Sequence, residues 1–370
     1  MIPYYQSYGN YDEFCEHAVK LPFVDYIAYC QTYIKNIRQR AGLPHDAETL
    51  SMNSPFELRP AEYNGERAVL LVHGFLASPY MMRALGEFFA AQGFLVRAIL
   101  LPGHGSSPGE LCAARGEHWQ MMVNYGIQSL QIEAKQIHLA GYSLGATLVS
   151  LAAFDHPVTS LMLLAPAHGI TYFANLLPFF FMLNRYTKLN LLSWVLRQTQ
   201  DDLVSYRSYP SSSVNEVRKL VSRLQTQLAR TTLNLPCFII ATFEDSTVNP
   251  QQTLALFKRH SNPGSRLLLY SRKSRKFSDS RITVIVSAAL EKQVHELSHI
   301  AIPIAPDDPY YGRNGKYYGS VADDTYFGEK NFLNARNKKY KRLTYHPGFQ
   351  TMLHALKGFL NSLSGIAAEI

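Results

Sequence analysis

From residue 67 the apolar and polar positions fall into a regular alternation of blocks. "RAVLLVHG" (67–74) is an unbroken apolar run closed by glycine, the pattern of a strand buried on both faces. "YMMRALGEFFAAQG" (80–93) carries apolar residues at helical spacing and ends on glycine. "FLVRAILLPGHG" (94–105) reads as a second strand and "WQMMVNYGIQSLQIEAK" (119–135) as a helix. "QIHLAGYS" (136–143) is a third strand, "LGATLVSLAAFD" (144–155) a helix and "VTSLMLLAPA" (158–167) a fourth strand. Strands alternating with helices in this way predict a parallel sheet covered on both faces.

The rhythm breaks over 168–232, which reads as helical and aromatic-rich with no clear strand. It resumes with a fifth strand, "LPCFIIATFED" (235–245), a helix over 250–260, and a sixth strand, "SRLLLYS" (265–271). "SRITVIVSAA" (280–289) suits a further strand or the start of a helix, and 347–364 reads as a final amphipathic helix. Before the alternation, 12–41 has helical periodicity with Pro22 as an expected kink. The expected organisation is a helical N-terminal extension (1–55), an α/β core (56–167 and 233–370) and a helical cap, or lid, inserted at 168–232. There is no internal repeat.

Composition supports a folded chain: 47% of the 370 residues are hydrophobic and 12% aromatic, which argues against disorder. The N-terminus "MIPYYQSYGNYDEF" has neither a basic nor an apolar leader region, so no signal peptide is expected. No stretch reaches 18 apolar residues, and no transmembrane helix is expected. Cys15, Cys30, Cys112 and Cys237 are scattered, as reduced thiols of a cytoplasmic protein would be. The net charge is +8, with basic clusters at 271–277 and 334–342. No nucleic-acid motif accompanies them, so they read first as solvated loops.

The chemistry starts at Gly141-Tyr142-Ser143-Leu144-Gly145, a G-x-S-x-G. The motif follows a buried strand and opens a helix, which is the context a nucleophile elbow requires. Side chains at 141 and 145 would collide with such a turn, and glycine removes them. The helix N-terminus behind Ser143 favours developing negative charge. An acyl-transfer oxyanion needs two donors. The Leu144 N–H, next after the serine, is one. The Phe75 N–H, in the loop "HGFLASP" after the first strand, is the other. His73 reads as a structural, hydrogen-bonded residue.

"LLVHGFLASP", "LPGHGSSPGEL", "GYSLGA" and "EDSTVNP", in this order, resemble the α/β-hydrolase superfamily, above all its monoacylglycerol lipase and carboxylesterase branch. The likeness covers about 66–260, is loose in the cap, and does not extend to the first 50 residues or the C-terminal tail. It implies the α/β-hydrolase fold and carboxylic ester hydrolysis by a Ser-His-Asp triad, with no metal and no cofactor. Ser143 matches the family's nucleophile, and Phe75 and Leu144 its oxyanion donors. Asp245 opens the family pattern D-x-x-V-N-P and is the expected acid, with Glu244 in reserve. The base falls between His295 and His299. The family sets a small residue before its histidine and an apolar one after, which fits Ser298-His299-Ile300. Asp245 and His299 lie 54 positions apart, longer than the family's custom.

His295 to His299 also spell H-E-x-x-H, the signature of a zinc site when carried on a helix. Apolar residues at 286, 289, 290, 294, 297 and 300 allow such a helix. The third-ligand candidates are poorly placed: Glu329 lies 30 residues on, and Asp307 and Asp308 are too close. Zinc would also leave the serine motif unexplained.

The cap's "YFANLLPFFFMLNRY" (172–186) suits an apolar acyl site or a membrane-facing lid. The expected substrate is a small lipid-like ester: a monoacylglycerol, a lysophospholipid or a similar carboxylester. The basic loops would allow peripheral contact with an anionic membrane. A thioesterase, an amidase or a non-catalytic binding module would share the same residues. No nucleic-acid partner is expected.

Overall fold

The computed structural model describes residues 2–169, 193–259, 262–319, 325–329 and 339–363. Three helices lead the chain: α1 (Tyr11–Ala18), α2 (Phe23–Ala41) and α3 (Ala47–Asn53). Pro22 stands at the N-cap of α2, so the expected kink is a full break between two helices. Asn10 and Asp46 cap α1 and α3, their side chains accepting from the backbone N–H of Glu13 and Thr49.

The sheet follows: β1 (Phe56–Leu58), β2 (Arg67–Val72), β3 (Leu95–Ile99), β4 (Gln136–Tyr142) and β5 (Ser160–Leu164). Beyond residue 232 come β8 (Cys237–Thr242), β9 (Arg266–Ser271) and β10 (Ile282–Val286). Their order is β1-β3-β2-β4-β5-β8-β9-β10, and every pairing is parallel except β1 on β3. β1 has only three residues, too few for a pattern to reveal. The ambiguous 280–289 segment is the edge strand β10 followed by a single 3-10 turn.

Alternate residues of each strand feed two cores. Leu70 and Val72 of β2 pack with Trp119, Ile127 and Leu148 from α5 (Gly116–Gln131) and α6 (Leu144–Asp155), and with Phe14 and Tyr26 of the N-terminal helices. Val69 and Leu71 face the other layer, with Leu85 and Phe89 of α4 (Arg83–Ala91) and Met352 and Leu356 of the last helix, Phe349–Leu363. This period-two division is why the buried strands read as continuous apolar runs.

Within 168–232 the described residues include two short paired strands, β6 (Trp194–Leu196) and β7 (Tyr209–Pro210), which correct the expectation of no strand there. One long helix, α7 (Ser211–Arg230), follows them. The apolar stretch at 172–186 lies wholly outside the described residues. After β10 the described residues are largely irregular. They carry a small parallel pair, β11 (Tyr326–Gly328) and β12 (Tyr340–Arg342), before the final helix.

Candidate active site

Ser143 sits between the last residue of β4 and the first of α6, with φ 54° and ψ −112°. A non-glycine residue at that φ is strained, and the surroundings must hold it there. They do: the Ser143 N–H donates to Leu164 O at 2.9 Å, and Ser143 O accepts from Ala167 N at 3.2 Å. A Cβ on Gly141 would run into the backbone of Gly145, and one on Gly145 into the Val72 carbonyl. These two glycines let α6 start against the sheet, as the motif requires.

The sequence-predicted acid and base lie next to this serine. His299 Nε2 is 3.0 Å from Ser143 Oγ, and His299 Nδ1 is 2.6 Å from Asp245 Oδ2. All three side chains are nearly out of water: Ser143 is 8% exposed, and the His299 and Asp245 side chains are 4% and 2% exposed. Asp245 lies in the turn after β8. Its Oδ1 accepts from the backbone N–H of Thr247 at 2.7 Å and of Val248 at 2.9 Å, which leaves Oδ2 for the imidazole. Glu244 points elsewhere: it accepts from Ser271 Oγ and the Arg272 N–H. His295 packs edge-on against Tyr326 and Tyr340 and does not join the group.

The loop after β2 approaches from the other side. A Cβ on Gly74 would stand 2.8 Å from the Tyr142 ring and 3.2 Å from the Ser143 Cβ, so the backbone there is as close to the serine as glycine permits. Leu76 holds φ 66° in the same turn. Among the described residues, neither the Phe75 nor the Leu144 N–H donates to a protein acceptor. The segment around β7 meets this loop: the Tyr206 N–H donates to Leu76 O at 2.7 Å, and the Phe75 ring meets Tyr209 edge-on. His73 is fully buried, pairs its Nδ1 with Gly74 O and accepts the Leu101 N–H on Nε2. Burial pushes its pKa well below the usual range, and that of His104 down to about 4, so both are neutral scaffold.

The helix that a zinc H-E-x-x-H needs is absent. Residues 291–299 are irregular, and Val294 forms a parallel bridge with Phe327. The two histidines are therefore not one helical turn apart on a common face. Glu296 instead accepts from Tyr340 Oη at 3.0 Å, its pKa raised by burial.

Two contacts to the His299 backbone escaped the sequence reading. Tyr142 Oη donates to His299 O at 3.4 Å, and the His299 N–H donates to Glu329 Oε2 at 2.7 Å. In the sequence Glu329 stood out only as a distant zinc ligand. No periodicity marks it, because it stands just past a three-residue strand.

A mostly parallel sheet with helices on both faces, bearing a strained serine elbow at its carboxyl edge, makes this chain an α/β-hydrolase. It belongs to the family described as "Serine aminopeptidase, S33", whose profile matches residues 64–274, more than half of the chain. The match ends before His299. Among curated relatives, the thermostable monoacylglycerol lipase of Bacillus sp. (strain H-257) is 28% identical over 196 residues, 53% of this chain and 77% of that one. The carboxylesterase of Bacillus subtilis (strain 168) is 22% identical over 217 residues, 56% and 83% of the two chains. A solved structure titled for the metagenome-derived lipolytic enzymes LipS and LipT aligns with TM-score 0.50 and 23% identity over 58% of this chain and 86% of that one, which supports the fold. The chain thus sits among lipase- and esterase-like hydrolases.

Proposed function

We propose that the chain is a serine esterase acting on carboxylic esters with an apolar acyl chain, through an acyl-enzyme on Ser143. The observation that carries this reading is the continuous relay Ser143 Oγ–His299–Asp245, with both contacts at hydrogen-bond distance. With the proton on Nδ1, that N–H donates to Asp245, and Nε2 is left to accept from Ser143. Oγ then attacks the ester carbonyl as its proton passes to His299 Nε2. The Phe75 and Leu144 N–H groups receive the oxyanion. The alkoxide takes the proton from Nε2 and leaves; water, deprotonated by the same nitrogen, releases the acid.

The lipid-like substrate class rests on the relatives' names, a monoacylglycerol lipase and a carboxylesterase, together with the apolar 172–186 stretch. The 168–232 insertion serves as lid, 1–55 as a helical extension, and 56–167 with 233–370 as the hydrolase core. The family description names an aminopeptidase, so the deciding panel sets monoacylglycerols and p-nitrophenyl esters beside acyl thioesters and aminoacyl p-nitroanilides. The expected result is the highest kcat/KM on medium- or long-chain esters. Preference for the anilides would overturn the reading.

Four free cysteines suit a reducing, cytoplasmic location. Among the described residues, no helix is long and apolar enough to cross a membrane. Peripheral contact with anionic lipid falls to the basic loop that follows β9 at the same sheet edge as Asp245, where Arg272, Lys273 and Lys276 are exposed. Each such side chain near an anionic surface is worth about 1 kcal/mol. Replacing all three by glutamine should weaken co-sedimentation with anionic vesicles on the order of 10²-fold. Binding insensitive to anionic lipid content would contradict the proposal.

A further inference from the structure

The long excursion around His299 raises the question of what holds an irregular catalytic loop in place. Residues 291–299 form no helix or strand, and a single bridge of Val294 with Phe327 ties them to β11. A buried backbone donor without a partner is also costly. The answer lies in one carboxylate. Glu329 is fully buried, and its Oε2 accepts the His299 N–H at 2.7 Å. Its Oε1 accepts from Ser246 Oγ at 2.9 Å, from the residue directly after Asp245. The same Oε1 pairs with the Arg342 guanidinium at 2.9 Å, and Arg342 reaches on to Thr247 Oγ1 at 3.2 Å.

Two loops from distant parts of the chain are thereby tied to one side chain. The acid's turn is gripped at Ser246 and Thr247, and the base's loop at the His299 N–H. Glu329 directly follows β11 and Arg342 ends β12, so the strand pair places both halves of the tie. The isolated bridge to β11 also grips the base's loop directly: the His295 N–H donates to Phe327 O at 2.9 Å, and the Phe327 N–H to Gln293 O at 2.9 Å. Ser298 Oγ donates to Leu343 O just beyond β12.

We propose that Glu329, backed by Arg342, is a positioning residue that sets the Asp245–His299 register, with the β11–β12 pair acting as its clamp. The inference rests on the Ser143–His299–Asp245 reading above. Glu329 touches no reacting atom. Its work is to fix the imidazole where Nε2 meets Ser143 Oγ, and misplacement of about 1 Å can cost on the order of 10²-fold in rate.

The test uses the full-length protein. A fluorophosphonate titration counts competent Ser143 sites, and kcat and KM for a p-nitrophenyl ester are expressed per titrated site. Glu329→Ala should lower kcat per site on the order of 10²-fold with KM within about twofold, because geometry rather than substrate binding is lost. Glu329→Gln keeps an acceptor for the His299 N–H and should recover most of that loss. A purely structural role would lower the melting temperature and the number of titrated sites but leave kcat per site at the wild-type value; that result overturns the proposal. So does a Gln variant no better than Ala. Should Glu329→Ala fail to fold, Ser246→Ala breaks one arm of the clamp and should still lower kcat per site severalfold. An unchanged value there overturns the proposal equally. A wild type that is not labelled at Ser143 is a different failure, and it removes the triad reading itself along with the clamp.

Discussion

Ser143→Ala abolishes turnover of the best ester substrate, with kcat lower by on the order of 10⁴-fold or more. The reason is local. Ser143 Oγ is the proposed nucleophile, 3.0 Å from the imidazole, on a turn whose backbone is pinned by Leu164 and Ala167. Alanine keeps the turn and takes away only the hydroxyl. The oxyanion donors and the substrate site survive, so a small residual rate over water is expected, and KM should change little. Steady-state kinetics on wild type and mutant, with melting temperatures alongside, check this. A mutant retaining more than a few per cent of wild-type kcat would show that another group does the chemistry.

Asp245→Asn should be almost as severe, on the order of 10⁴-fold in kcat, while the fold is retained. In the proposed relay the carboxylate Oδ2, 2.6 Å from His299 Nδ1, accepts its N–H and so leaves Nε2 bare to take the serine proton. An asparagine amide can turn its NH₂ toward Nδ1. That favours the tautomer with the proton on Nε2, which cannot accept from Ser143. Glu244→Gln is the control. Its carboxylate serves Ser271 and Arg272, not the imidazole, and the variant should keep most of its activity. The reverse outcome, an impaired Glu244→Gln and an active Asp245→Asn, would move the acid by one residue.

Much of this could be read from residue order because the core is built from periodic elements. β2, β4, β5, β8 and β9 are apolar through both layers, and each announces itself as a run closed by a turn. The elbow is legible for a different reason: it admits only glycine at 141 and 145, so a steric demand becomes a spelling. What escaped is held by isolated side-chain bonds. β10 is an edge strand whose partly exposed residues blur the pattern. Residues 302–319 have no regular element and dock through contacts such as Tyr311 Oη on the buried Asp202 carboxylate at 2.8 and 2.9 Å. Glu329 holds His299 in the same way. A single carboxylate far along the chain leaves no periodic trace, whatever its weight in the fold. The H-E-x-x-H match shows the converse: the spelling of a zinc helix without the helix.

The account turns on Ser143 as the reacting group, and peptide mapping after fluorophosphonate treatment tests this most directly. The account predicts a stoichiometric adduct on the peptide bearing Ser143 in the wild type, its loss in Ser143→Ala, and greatly slowed formation in Asp245→Asn. An adduct on any other residue, or labelling that persists undiminished in Ser143→Ala, would contradict it.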